Sequence, residues 1–393
     1  MAVDKNNNSS VSDGDIIGTH IQIAGAGPAG LAAAITLAKA GRKVILHEAK
    51  AGVGYRFKSD LQGIENWSTK RDALAVLNEQ GISTNFDKIP GLQGTAFDAW
   101  GKAYEIRSRE PLFYMVERGP RPGSLDTALL NQALELGVEV RFNSRLRQVN
   151  GQGILATGPG ATDAMAVGFH FETDMENGFW VICDNKLAPK GYAYLLIMNG
   201  LGTVKSCIFS DFRKKKVYVQ RTVAAFEKLV GLRMRNPRPH GGVGNFRIPG
   251  SAIHGRNYIA GEQAGFQDTL WGFGMRHAIT SGVLAAQSVL QGADYNAQWQ
   301  RAIGQQLLAS VVNRTFYAHI PNWGYRWFLR YATHNGDARE FLHHFYKLSP
   351  LKRLALPWSK TQYKSQYKEL ECADESCNHV RCRCSRLAAD DSV

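Results

Sequence analysis

The sequence predicts a mixed α/β architecture: a Rossmann-like domain, an antiparallel β-sheet domain inserted into it, and a C-terminal helical segment. Three observations carry that expectation. The first is a βαβ pattern over residues 18–50, in which Gly25-x-Gly27-x-x-Gly30 directly follows an apolar run. The second is a series of short apolar runs between residues 165 and 220, partly alternating and broken by Gly, Asn and Asp. Such runs read as strands joined by turns, not as crossover units. The third is a Gly-punctuated loop leading into a small-residue helix at 258–292, after which helix formers and aromatics dominate.

Each element follows from its residues. Residues 1–17 are polar and low in apolar content, which predicts a disordered lead-in. The segment HIQIAGAGPAGLAAAITLAKAGRKVILHE then gives strand, tight turn, helix and second strand. Gly25 permits the turn, Gly27 lets a pyrophosphate approach the backbone, and Gly30 lets the helix pack on the strand. Ala26, Pro28 and Ala29 complete the phosphate loop, because the helix N-terminus offers N–H groups and a positive dipole end. Glu48, with Ala49 beside it, closes the second strand and is placed to accept hydrogen bonds from a ribose. An acid there repels a 2′-phosphate, so the site should hold FAD or NAD and not NADP.

Residues 51–115 are less regular, with a helix expected near 71–80. Arg121-Pro-Gly-Ser-Leu-Asp126 opens an amphipathic helix whose stripe is Leu125, Leu129, Leu130, Ala133, Leu134 and Leu136, ended by Gly137. Strands follow at VEVRFNSRLRQV and GILATGP. AVGFHFETD, GFWVICDN, GYAYLLIM and TVKSCIF form the inserted strands, and KKKVYVQRTVAAFEKLVG is read as a strand edge running into a helix. NPRPHGGVGNFRIPG at 236–250 is read as the return connection. The expected division is 18–85, 116–164 and 240–295 for the Rossmann-like domain, 86–115 and 165–239 for the inserted domain, 296–360 for the helical segment, and 361–393 for a tail.

The chain has 393 residues, 44% of them hydrophobic, enough for a substantial core. No apolar run reaches the roughly 18 residues of a membrane span, and no signal-peptide pattern is present, so a cytoplasmic location is expected. A formal net charge of +13 favours anionic partners. No nucleic-acid-binding motif accompanies that charge, so nucleic acid is not an expected partner.

At this point two separated motifs agree. GAGPAGLAAAITLAKAG…VILHE and YIAGEQAGFQDTLWGFGMRHAITSGVLAA together resemble the FAD-dependent oxidoreductases of the glutathione-reductase-like fold. Within them the chain most resembles the geranylgeranyl reductase family, whose relatives include aromatic hydroxylases, flavin halogenases and lycopene cyclases. The matching late residues are Gly261, Ala264, Gly265, Phe266, Gly272, Gly274 and Met275. The resemblance implies FAD, an FAD-binding role for the Rossmann-like domain, and substrate binding by the inserted sheet. It implies that the acid at Glu262 holds the ribityl chain and that the helix opening at Gly274 and Met275 faces the flavin ring. Arg121 with Leu125 matches the family's arginine-then-helix motif over the cofactor.

The departures narrow the chemistry. Glu262 stands where the family has Asp, and Trp271 stands where it has Pro. The mid-chain Asp-Gly of aromatic monooxygenases and the Trp-x-Trp-x-Ile-Pro of halogenases are both absent. Lys190-Gly191-Tyr192-Ala193-Tyr194 resembles the reductases' Tyr-x-Trp-x-Phe-Pro stretch, which implies that Tyr192 and Tyr194 line a prenyl pocket. Ordinary strand aromatics are the competing reading. The expected activity is reduction of carbon–carbon double bonds in an apolar, prenyl or lipid-like substrate, with Tyr192, Tyr194 or water as proton source and Trp271 as a further catalytic candidate. The electrons would come from NAD(P)H, a ferredoxin or a separate reductase. The alternatives are an FAD-dependent monooxygenase acting on a small organic substrate, and an electron-relay flavoprotein.

The relay reading rests on Cys372, Cys377, Cys382 and Cys384, a cluster able to hold zinc or an iron–sulfur centre but matching no common spacing. Redox thiols or an unstructured tail are the other readings, and no metal is assigned. Residues 341–358, FLHHFYKLSPLKRLALPW, either pack a helical cap on the body or lie on an anionic membrane surface.

Overall fold

The computed structural model describes residues 20–362, apart from 147, 148, 150, 161, 247 and 335. The expected disordered lead-in and the cysteine cluster therefore lie outside the described residues.

The glycine fingerprint builds the first sheet. Strand Ile21–Ala24 is parallel to Val44–His47 on one side and to Gly153–Leu155 on the other. Glu139–Arg141 extends the sheet beyond Val44–His47, and Asn257–Ile259 extends it beyond Gly153–Leu155. All five strands are parallel, so their carboxyl ends open on one edge, and a two-residue strand, Ile253–His254, adds antiparallel. Helices Pro28–Lys39 and Met275–Gln291 cover one face and pack on each other.

That packing is made by missing side chains. A Cβ on Gly30 would lie 1.9 Å from the Gly25 carbonyl oxygen, and one on Gly282 would lie 2.0 Å from the Ala29 carbonyl oxygen. Gly25 itself has φ +97° and sits against the Ala156 carbonyl, a left-handed conformation and an approach that only glycine tolerates.

The inserted strands form a seven-stranded sheet in the order Arg235–Gly244, Ala164–Glu172, Leu201–Ile208, Tyr192–Met198, Gly178–Cys183, Gln93–Asp98 and Ala103–Arg107. It is antiparallel except where Gly178–Cys183 meets Gln93–Asp98. A small sheet, Asp60–Glu65, Phe113–Arg118 and Lys88–Gly91, links the two larger ones. Helices from Tyr295 to Gln362 close the far side.

Three local expectations need correction. Residues 236–250 are not simply a connection: Arg235–Gly244 is a ten-residue strand paired on one side only. An edge strand tolerates Pro237 and Pro239, since a missing N–H there costs no ladder bond. Residues 214–230 contain no strand edge; a single 3-10 turn, Phe212–Lys214, leads into helix Lys215–Val230. The stripe of helix Leu125–Glu135 is also narrower than read, because Leu134 and Leu136 are 48% and 36% exposed.

Among the described residues, no helix is long and apolar enough to cross a membrane.

Gly282→Ala should destabilise the protein by about 1–3 kcal/mol, the scale of overpacking a tight contact. Gly250→Ala, where a Cβ meets nothing within 4 Å, should be near neutral. Urea unfolding of the two variants checks this, and equal midpoints would contradict it.

Candidate cofactor and substrate site

Two helix N-termini, contributed by opposite ends of the chain, open on one cavity. Helix Pro28–Lys39 starts at Gly27 and helix Met275–Gln291 at Gly274, and neither has a side-chain cap. Uncapped N–H groups at a helix start carry partial positive charge and favour an anion. The cavity has a volume of about 790 Å³ and reaches from the phosphate loop to the seven-stranded sheet and the C-terminal helices.

The structure brings most of the sequence-derived residues to this space. Gly25, Ala26, Gly27, Pro28, Ala29, Glu48 and Ala49 line one end, and Gly261, Glu262, Gly272, Gly274 and Met275 line the side. Gly30 lies behind the wall, as its packing role requires. A Cβ on Gly27 meets nothing within 4 Å, so the cradle there is open. Glu48 accepts from the Ala26 N–H at 2.9 Å and from the Lys50 N–H at 2.9 Å. Both carboxylate oxygens keep a lone pair for a ribose.

Arg121 is the exception. Its side chain is 54% exposed, pairs with Glu117 at 3.7 Å, and does not line the cavity. Arg118, at the end of strand Phe113–Arg118, takes the inward position instead. Asp126 in the first turn of the following helix draws it in through two hydrogen bonds, 2.8 and 2.9 Å, and the guanidinium stacks 4.1 Å above Phe57. By position in the sequence the two arginines are equivalent, and only the contact with Asp126 separates them.

Glu262 points toward Arg56, whose guanidinium lies 3.1 Å away, and accepts from the Asn245 N–H at 3.3 Å. Burial raises its carboxyl above the ordinary range, partly offset by Arg56. Gln267, which the sequence reading missed, donates to the Gly272 carbonyl at 2.7 Å and leaves its Oε1 without a partner on the cavity wall. A buried orphan acceptor beside the uncapped helix start at Gly274 fits a bound group with donors of its own.

The missing proline before Gly272 has a structural substitute. Asp268 accepts from the Trp271 N–H at 2.6 Å and from the Tyr346 hydroxyl at 2.8 Å, and so builds the turn that presents Trp271 and Gly272. Burial pushes its carboxyl up to about 6.

Tyr192, Tyr194 and Trp271 form the opposite wall. Tyr192 lies edge-on to Trp271 at 5.2 Å and 6.0 Å from Tyr194, and its hydroxyl donates to the Trp271 carbonyl. Burial drives both phenols well above the ordinary tyrosine value, with Cys207 adding at Tyr192 and Asp60 at Tyr194. Trp67, Phe113, Phe179 and Phe273 continue the aromatic lining. Phe328, Leu329, Phe341 and Leu342 close it from the C-terminal helices. Phe341 and Phe345 of the basic aromatic segment thus turn inward, 6.0 and 5.6 Å from Phe328.

A buried charge cluster adjoins this wall, with Asp60 and Lys205 on the cavity lining. Lys205 Nζ lies 2.6 Å from Asp60 Oδ2 and 3.0 Å from His240 Nδ1. His240 Nε2 donates to the Arg56 carbonyl at 2.9 Å, which leaves Nδ1 to accept from the ammonium. His170 reaches Asp60 Oδ1 at 3.0 Å and the Lys58 carbonyl at 3.2 Å, and its ring lies 4.2 Å from that of His240. Burial raises the Asp60 carboxyl, but Lys205 and His170 outweigh it and hold the group well below the carboxylate range. Burial first, then Lys205, lowers His240 to about 4. Asp60, His170 and His240 have the spacing of a metal site. The Lys205 ammonium stands within hydrogen-bond reach of two of them, where such a cation would sit.

The comparisons agree with this geometry. Residues 23–67 match a family model described as an NAD(P)-binding Rossmann-like domain. No curated sequence matches the chain. Among solved structures, the chain is similar to a geranylgeranyl bacteriochlorophyll reductase-like protein from Thermoplasma acidophilum, with 17% identity, TM-score 0.65, and coverage of 87% of this chain and 98% of that one. It is similar to the flavin-dependent brominase Bmp2, at 15% identity, TM-score 0.63, and 88% and 99% coverage. It is also similar to p-nitrophenol 4-monooxygenase from Pseudomonas putida, at 16% identity, TM-score 0.61, and 84% and 96% coverage. The class defined is one of fold: a Rossmann-like domain with an inserted sheet, shared with the reductase-like protein, the flavin-dependent brominase and the monooxygenase.

Lys205→Met should destabilise the protein by about 3–5 kcal/mol, because it strands a buried carboxylate. Asp60→Asn/Lys205→Met should lose less than the sum of the two single variants, and strict additivity in urea unfolding would contradict the coupling. His240 folds with a pKa near 4, below its unfolded 6.5, so the folded state binds fewer protons between those values. Stability should therefore fall as pH drops through that window. His240→Gln should flatten that slope, and an unchanged slope would show the ring to be solvated.

Proposed function

We propose that the protein is an FAD-dependent oxidoreductase that reduces carbon–carbon double bonds in an apolar, prenyl or lipid-like substrate. The observation that supports it is the convergence of two uncapped helix starts on a cavity whose remaining wall is aromatic and aliphatic. Gly25–Gly30 and Glu48 would hold the pyrophosphate and ribose, Glu262 with Arg56 the ribityl region, and Gly274–Met275 the ring edge. Bound FAD supplies two-electron transfer to carbon.

This chain's residues do the rest. The apolar wall positions an alkene and excludes water, and the ring edge at the helix start receives negative charge favourably. Saturation also needs one proton. The Tyr192 hydrogen is engaged by the Trp271 carbonyl, and both phenols are weak acids here, which favours Tyr194 or water over Tyr192. Trp271 positions substrate, since its ring carries no acidic proton. NAD(P)H or a ferredoxin would reduce the flavin, and the cytoplasm is the compartment that fits this chemistry.

A second reading, a flavin monooxygenase acting on a small organic substrate, is supported by the brominase and the p-nitrophenol monooxygenase that share the fold. The absent Asp-Gly and Trp-x-Trp-x-Ile-Pro motifs weigh against it. Turnover of an isoprenoid alkene with full product yield under anaerobic conditions separates the two: an absolute oxygen requirement would favour the monooxygenase.

The purified protein should carry stoichiometric FAD, released on denaturation and read by its absorbance. Gly27→Val should abolish that flavin while circular dichroism stays unchanged, because the added group enters open space and not the core. Retained FAD in the variant would refute the site.

A further inference from the structure

Helix Asn322–His334 has two unlike faces. Phe328, Leu329, Ala332 and Thr333 point inward and line the cavity. Trp323, Trp327 and Tyr331, spaced four residues apart, form one outward stripe and are 62%, 61% and 65% exposed. Such large side chains are normal on a surface singly, but a contiguous stripe marks a contact site.

The stripe is flanked by cations. Arg330 lies 5.5 Å above the Trp327 ring. Arg326 lies 3.9 Å above Trp100, itself 59% exposed, and so extends the aromatic surface to the neighbouring turn. Lys102 follows on that turn, 5.5 Å above Tyr104 in the strand that packs on this helix. The nearby acids are already engaged: Asp98 is buried and accepts from Arg326 at 2.7 Å, and Glu105 pairs with Arg107 at 2.5 Å. The surface therefore combines aromatic rings having a polar edge with the positive charge of Arg330 and Lys102, neither of which has an ion-pair partner among the described residues, while Arg326 is neutralised by Asp98.

We propose that this face docks on an anionic lipid surface, with the Trp and Tyr rings at headgroup level and Arg330 and Lys102 facing acidic headgroups. Trp and Tyr prefer that interface, and an amphipathic helix with such a face lies in its plane. The thirteen-residue helix is too short to span a bilayer, so the contact is peripheral. Docking sets the cavity one helix thickness, about 10 Å, from the lipid, so an apolar ligand enters without crossing bulk water. The docking itself holds whether or not the flavin assignment does.

The test is flotation of the full chain with vesicles of phosphatidylcholine alone or with roughly 30% phosphatidylglycerol, at about 50 mM salt. The protein should float with the anionic vesicles and much less with the neutral ones. Trp323→Ser/Trp327→Ser/Tyr331→Ser should lower the bound fraction at least about tenfold at an unchanged thermal midpoint. Arg330→Glu, with every ring kept, should remove most of the preference for phosphatidylglycerol. Absence of wild-type binding, or equal binding by the triple variant, would overturn the proposal. So would concentration-dependent dimerisation that the triple variant abolishes while vesicles bind neither form, since the stripe would then face a second copy of the chain.

Discussion

The close approach of helices Pro28–Lys39 and Met275–Gln291 is the constraint on which the site depends. Ala29 and Gly282 touch through backbone and a Cβ-free position, and Gly30 rests on the Gly25 carbonyl. No side chain fits at either contact. The helices can therefore start side by side, with their N-termini aimed at the same space. Two partial positive charges from segments some 250 residues apart then face one cavity, where each alone would be a weak anion site. Ala29 thus serves both the phosphate loop and the seat of the second helix.

The cavity wall is organised by the same economy of charge. Three of its cations are matched: Arg118 to Asp126, Arg56 to Glu262, and Lys205 to Asp60. Buried pairs of this kind add little net stability, but losing one partner is costly, so they fix geometry more than they add energy. Asp60 joins the small sheet to Lys205 of the large one, and Arg56 joins the loop before it to Glu262 beside the late glycines. The polar rim is thereby tied to the scaffold at three points. The wall of Tyr192, Tyr194 and Trp271 stands across the cavity from that rim.

The sequence made the local parts of this legible. A strand, glycine turn, helix and terminal acid in fixed order report themselves through spacing, and so does the late Gly272-x-Gly274. Long-range pairing is another matter. Arg121 and Arg118 are equally plausible by position, and only the bidentate pull of Asp126 separates them. Nothing in the order of residues brings Asp60, His170, Lys205 and His240 together, since they come from four different strands and meet only through register. The strand at Arg235–Gly244 was hidden by its own prolines and glycines, which signal a loop unless the strand is known to lie at an edge. Gln267 offered no signal either, because its significance is an unfilled acceptor.

The account's central claim is that one dinucleotide spans both helix starts. A crystal structure of the protein with FAD tests it most directly. The pyrophosphate should lie at the start of helix Pro28–Lys39, against Gly27 and Ala29, and the ring edge should lie at Gly274–Met275 with Tyr192 and Tyr194 across the cavity. A dinucleotide held at the first helix with its second ring directed away from Gly274 would contradict it.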